Sequence, residues 1–109
     1  MARLLRCIFA ICTLCSAAAG VSQTQGGATK TFKANCESCH SADDSGNTGL
    51  GKALKAQDLR SADTQKQSDA ALLEAITKGR GKMPAFGAKL KPDDITRLVA
   101  YLRTLAAKK

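Results

Sequence analysis

Apolar residues recur at helical spacing in three stretches of the chain and alternate in none. From Pro92 onward, Ile95, Leu98, Val99, Leu102 and Leu105 fall on one stripe. Asp93 and Asp94 sit at the positive start of the helix dipole, and Lys108 and Lys109 lie at its carboxyl end. Earlier, Ala71, Leu72, Ala75 and Ile76 form a second apolar face, with Ser68 as N-cap, Asp69 in the first turn and Gly79 as the stop. Ala28, Phe32 and Cys36 recur every four residues and predict a third helix. With no period-two pattern and no internal repeat, the chain reads as all-α, with about three to five short helices.

The intervening segments are polar and rich in turn formers. Residues 41–52 combine Ser, Asp, Gly and Asn around Leu50 and read as a loop; residues 53–57 read as a short helical turn, and 58–67 as a polar connector. Residues 79–87 hold three glycines and Pro84, a composition suited to a tight irregular loop. At the amino end, Arg3 and Arg6 precede an apolar run and Ala17-Ala18-Ala19, the layout of a signal peptide over residues 1–19 with cleavage after Ala19. The run is too short to span a bilayer, which takes roughly 20 apolar residues. Leu14 before Cys15 disfavours lipoprotein processing. Residues 20–27, rich in Ser, Gln and Gly, read as a flexible leader to a domain over residues 28–109.

Export changes the cysteine count. Cys7, Cys12 and Cys15 leave with the signal peptide, and only Cys36 and Cys39 remain. The remaining chain of about ninety residues is a single small domain with little large apolar surface, since Phe32, Phe86 and Tyr101 are its aromatics. Once Arg3 and Arg6 are gone, the 17 Lys and Arg fall to 15 against 9 Asp and Glu, a formal balance of +6. The positive residues are interleaved with acids and accompanied by no aromatic stacking platform, which argues against nucleic-acid binding.

The most specific chemistry lies in Cys36-Glu37-Ser38-Cys39-His40. Cys-x-x-Cys-His is the spacing at which two thiols bond covalently to one haem while the adjoining His ligates its iron. On a helical turn, residues three apart share a face, so Cys36 and Cys39 can reach neighbouring vinyl groups. Two other uses of these residues stay open. A structural zinc site needs about four Cys or His ligands, and residues 20–109 supply three. A redox dithiol of the thioredoxin kind needs a βαβ surround, whereas this segment reads helical. Haem c also supplies the apolar bulk that the small core lacks.

Met83 is the one methionine beyond the initiator and stands beside Pro84 in the glycine-rich loop, forty-three residues after His40. A methionine is more often core filler, but the chain has no second His, and His with Met is a standard axial pair for haem iron. The combination of Ala28, Phe32 and the Cys36–His40 motif, then Gly81-Lys82-Met83-Pro84-Ala85-Phe86, then Val99-Ala100-Tyr101-Leu102 resembles the small monohaem class I c-type cytochromes over nearly all of residues 28–109. The resemblance implies a cytochrome c-like fold around one covalently bound haem, with Ala28 and Phe32 packed near Tyr101 and Leu102. It implies His40 and Met83 as axial ligands on opposite haem faces. In this family a proline region after the haem motif often supplies a carbonyl to the proximal imidazole; this chain has Gly49-Leu50-Gly51-Lys52 there, which leaves the partner of His40 undetermined.

Iron held on both faces by protein has no open site for a substrate, so the expected function is not enzymatic. It is a periplasmic one-electron carrier shuttling between redox proteins, monomeric and without stable membrane insertion. Two alternatives stand beside it: an electron-transfer subunit of a larger oxidoreductase, and a haem enzyme or gas sensor with a displaceable Met83. Lys78, Arg80, Lys82, Lys89 and Lys91 cluster along the sequence near Met83 and suggest docking to acidic redox partners. Arg60, Gln57, Asn47 and Lys52 are candidates to hold the haem propionates.

Overall fold

A computed structural model describes residues 21–108. The expected signal peptide over residues 1–19 lies outside the described residues. Six α-helices follow in order: α1 (Val21–Asn35), α2 (Glu37–His40), α3 (Gly49–Leu54), α4 (Ala62–Gln65), α5 (Asp69–Lys78) and α6 (Pro92–Thr104), the last running into a 3-10 turn, Leu105–Lys108. Among the described residues there is no strand, only an isolated bridge between Arg80 and Met83. The all-α expectation holds, with the helix count raised by two four-residue helices.

The two most periodic stretches form as their patterns predict. Ser68 caps α5 by accepting from the Ala71 backbone N–H at 3.1 Å. Pro92 opens α6 where its missing N–H costs nothing. Ile95, Leu98, Val99 and Leu102 of α6, with Leu105 beyond it, are buried in one core with Phe32 of α1 and Leu72 and Ile76 of α5. Ala28, 3% exposed, and Phe32 form the buried stripe of α1. The Phe32 and Tyr101 rings meet at 5.2 Å between centroids, tilted by 49°, a geometry worth about 0.5–1.5 kcal/mol beyond area burial. The contact expected between the first and last helices is therefore present.

Three local expectations need correction. Helix α1 begins at Val21, so it takes in most of the segment 20–27 read as flexible; no proline interrupts it, and helix propagates readily from a packed turn. Helix α3 occupies the segment read as loop, and the turn expected over 53–57 is its end, capped by Lys55 at φ 57°. Its nucleus is tertiary. The Thr48 hydroxyl accepts from the Gly51 N–H at 2.7 Å and lies 2.9 Å from the Ser38 carbonyl, to which it donates, so α3 is stitched onto α2. Gly51 is buried there, and a Cβ on it would run into the Cys39 and Gly46 carbonyl oxygens. Helix α4 lies in the connector, with Ser61 accepting from the Thr64 N–H. Arg103 of α6 fastens that connector, donating to Asp69 Oδ1 at 2.8 Å and to the Gln65 and Gln67 carbonyls.

Candidate functional site

A cavity of about 700 Å³ opens between these elements, a volume within the range of roughly 300–1,000 Å³ typical of cofactor sites. Cys36, Cys39 and His40 line it, as does Met83 from the 79–87 loop. Phe32, Leu59, Leu72, Ile76, Leu98 and Leu102 make much of the remaining wall apolar. All four residues singled out from the sequence are thus brought to one cavity, although Met83 and His40 are far apart along the chain.

The haem-motif turn is held by His40 N–H to the Cys36 carbonyl at 2.9 Å and Cys39 N–H to the same oxygen at 3.2 Å. Both thiols are free rather than joined in a disulfide. Burial, with the neighbouring Cys39, pushes the Cys36 thiol up to about 11. A redox-active nucleophilic thiol is tuned in the other direction, so Cys36 lacks the electrostatics of one. Among the described residues, no three His, Cys, Asp or Glu side chains gather as a metal cluster would.

His40 Nδ1 lies 3.1 Å from the backbone carbonyl oxygen of Gln57. A carbonyl only accepts, so Nδ1 carries the proton and donates it, leaving the Nε2 lone pair for a metal. Burial lowers the imidazole's affinity for a second proton, outweighing the opposing effect of that hydrogen bond. Gln57 therefore answers the question left by the missing proline. Nothing in the sequence marks it, because the contact is made by backbone and depends on how α3 ends.

The methionine loop is built around a glycine. Gly79 has φ 77°, and a Cβ there would lie 2.6 Å from the Met83 carbonyl oxygen; the chain folds back on itself only without a side chain. Arg80 N–H donates to the Met83 carbonyl at 3.1 Å, and Met83 N–H to the Arg80 carbonyl at 2.9 Å. Phe86 and Gly87 N–H groups anchor the loop's far end to the Ile76 and Thr77 carbonyls of α5.

Charge at the cavity has one sign. Lys55, Arg80 and Lys82 line it, and no Asp or Glu does. Of the propionate candidates only Gln57 lines the cavity; the Arg60 guanidinium is engaged by both carboxylate oxygens of Asp58. Of the five cations near Met83 in sequence, Lys78 pairs with Glu74 at 3.2 Å and Lys89 sits 6.0 Å over the Phe86 ring. Arg80 and Lys82 reach the cavity, where Lys55 of α3 joins them. An apolar, cation-flanked cavity holding two free thiols, a correctly tautomerised imidazole and a thioether fits a haem with anionic propionates.

Residues 24–102 match the family model described as cytochrome c oxidase, cbb3-type, subunit III. Cytochrome c6 of Anabaena variabilis is 41% identical over 76 residues, covering 67% of this chain and 81% of its own length. Cytochrome c6 of Microcystis aeruginosa is 39% identical over 77 residues, covering 71% and 91%. A solved structure, the KustC0563 c-type cytochrome, superposes with a TM-score of 0.64 at 34% identity, over 72% of this chain and 95% of that one. From the helix order, the cavity and these matches together, the chain belongs to the c-type cytochrome family, as a small class I member.

Proposed function

We infer that the protein carries one electron at a time between redox proteins through a single haem c, bound by thioethers from Cys36 and Cys39 and ligated by His40 and Met83. The observation that carries this reading is the convergence of those four side chains on one largely apolar cavity. When bound, the haem supplies a one-electron ferric/ferrous couple. The chain does the rest. Cys36 and Cys39 keep the cofactor from dissociating, and Gln57 fixes the tautomer and direction of His40. The backbone bonds between Arg80 and Met83 fix the loop that presents the thioether, so this ligand would need little rearrangement when the bound haem changed charge. Soft sulfur and apolar walls favour the reduced state. With His40 and Met83 both committed to the iron, a bound haem would offer no position to a substrate, which makes the protein a carrier rather than an enzyme in this reading.

Lys55, Arg80 and Lys82 at the cavity steer an acidic partner protein toward it. The carrier works as a monomer in the periplasm after export; no helix among the described residues is long and apolar enough to cross a membrane. A second reading is favoured by the family match itself, whose description names an oxidase subunit: the chain serves as the electron-entry component of a larger oxidase-type assembly. Size-exclusion chromatography of native material separates the two. Carbon monoxide tests the closed site: the reduced protein should leave it unbound, and rapid binding would convert the reading to a gas sensor or haem enzyme.

A further inference from the structure

Asp44 is the one acidic side chain fully buried among the described residues, at 1% exposure. It follows the haem motif, in a loop whose Gly46 N–H donates to the His40 carbonyl at 2.8 Å. Its Oδ2 has no hydrogen-bond donor, and Oδ1 receives only a long bond of 3.3 Å from the Tyr101 hydroxyl. Lys108 Nζ stands 3.8 Å from Oδ2, outside hydrogen-bond range. A buried carboxylate so poorly supplied with donors is a strong site for a proton.

Asp44 is also tied to the proximal side of the cavity. Its carbonyl accepts from the Leu59 N–H at 2.9 Å, and two residues before Leu59, the Gln57 carbonyl accepts the hydrogen bond from His40 Nδ1–H. We propose that Asp44 is a proton-binding site coupled to electron uptake. The proposal rests on the one-electron reading. When the chain accepts an electron from its redox partner, one proton from solvent forms an O–H bond on the Asp44 carboxylate; on oxidation both leave. The proton offsets the added negative charge in a low-dielectric surround, where an uncompensated charge is costly. Burial raises the carboxyl above its ordinary range, and Lys108 works against that. The groups facing Asp44 are Lys108 from the 3-10 turn, Tyr101 from α6, Asp43 from its own loop, Arg60 from the connector and His40 from α2. Tyr101 is itself pushed up to about 12 by burial and by Asp44, so it stays protonated throughout.

The test is the midpoint potential of the full-length holoprotein by voltammetry across about pH 4 to 9, a window spanning the carboxylate and imidazole ranges. In part of that window the potential should fall as pH rises, by at most tenfold in the reduction equilibrium per pH unit, or about 59 mV. Asp44→Asn should remove that slope. Lys108→Met, at a side chain 56% exposed, should move the sloping region to higher pH, and it serves even if Asp44→Asn fails to mature. A wild-type potential flat with pH, a slope retained in Asp44→Asn, or an unmoved window in Lys108→Met would each overturn the proposal. Absence of any reversible one-electron wave would instead overturn the carrier reading beneath it.

Discussion

The imidazole of His40 gives its Nδ1 proton to the main-chain carbonyl of Gln57, 3.1 Å away and seventeen residues downstream. The acceptor belongs to the backbone, and the Gln57 side chain is exposed. Gln57→Ala should therefore leave the ligand field intact and change stability by no more than about 0.5 kcal/mol. Proton NMR of the reduced holoprotein checks this: the Hδ1 resonance should persist in the variant with slow exchange. Its loss would mean that the side chain, not the carbonyl, secures the imidazole.

The glycine and the methionine of the 79–87 loop should fail together. Met83→Ala removes the thioether and should abolish the weak red band of sulfur-ligated ferric iron, lower the potential and open the reduced protein to carbon monoxide. Gly79→Ala keeps the sulfur but drives a Cβ against the Met83 carbonyl at a φ that disfavours side chains. It should lower stability by about 1–3 kcal/mol and weaken the same band. A Gly79→Ala protein with unchanged melting and an unchanged band would show that the loop is not held as described.

The parts of this architecture that were readable in the sequence are those whose signals are local. The stripe from Ile95 to Leu105 and the Ser68 cap declared α6 and α5, and the Cys36–His40 spacing declared the chemistry. Helix α3 was not readable, because Gly49 and Gly51 are poor helix formers and its stability comes from Thr48 bonding across to α2. The Gln57 carbonyl was hidden for the same reason, being delivered by the left-handed cap at Lys55. Sequence clustering also left out one cation: Lys55, distant in sequence, reaches the cavity beside Arg80 and Lys82, while Lys78 pairs with Glu74.

That redistribution of charge makes a kinetic prediction. Replacing Lys55 and Lys82 together by Glu should slow association with an acidic redox partner by about tenfold or more at low salt. Replacing Lys78 should matter little. Stopped-flow electron transfer at increasing ionic strength is the check, since screening shortens the reach of exposed charge to about 8 Å at physiological salt. A wild-type rate indifferent to salt would remove steering from the account.

Two neighbouring carboxyls should respond to acid in opposite senses. Hydrogen bonds from the Ser45 and Ser41 side chains and the Ser45 N–H hold Asp43 at about 2, below its ordinary 3.8. Its stabilising contribution is therefore present above pH 3.8 and lost as pH falls through about 2. Asp44 is raised by burial, so its contribution is present in acid and lost as pH rises through its folded value. Asp43→Asn should destabilise at neutral pH and have a much smaller effect near pH 2. Denaturant unfolding at both pH values measures the difference, and an equal effect at both would contradict it.

Everything proposed for this protein depends on a haem bonded to Cys36 and Cys39. The most direct measurement is the denatured mass of protein purified from cells with a working haem-attachment apparatus, alongside extraction with acidified acetone. The account predicts a chain heavier by one haem, with the pigment staying on the polypeptide and Cys36→Ser with Cys39→Ser abolishing it. A mass equal to the bare processed chain, or pigment passing into the acetone, would contradict it.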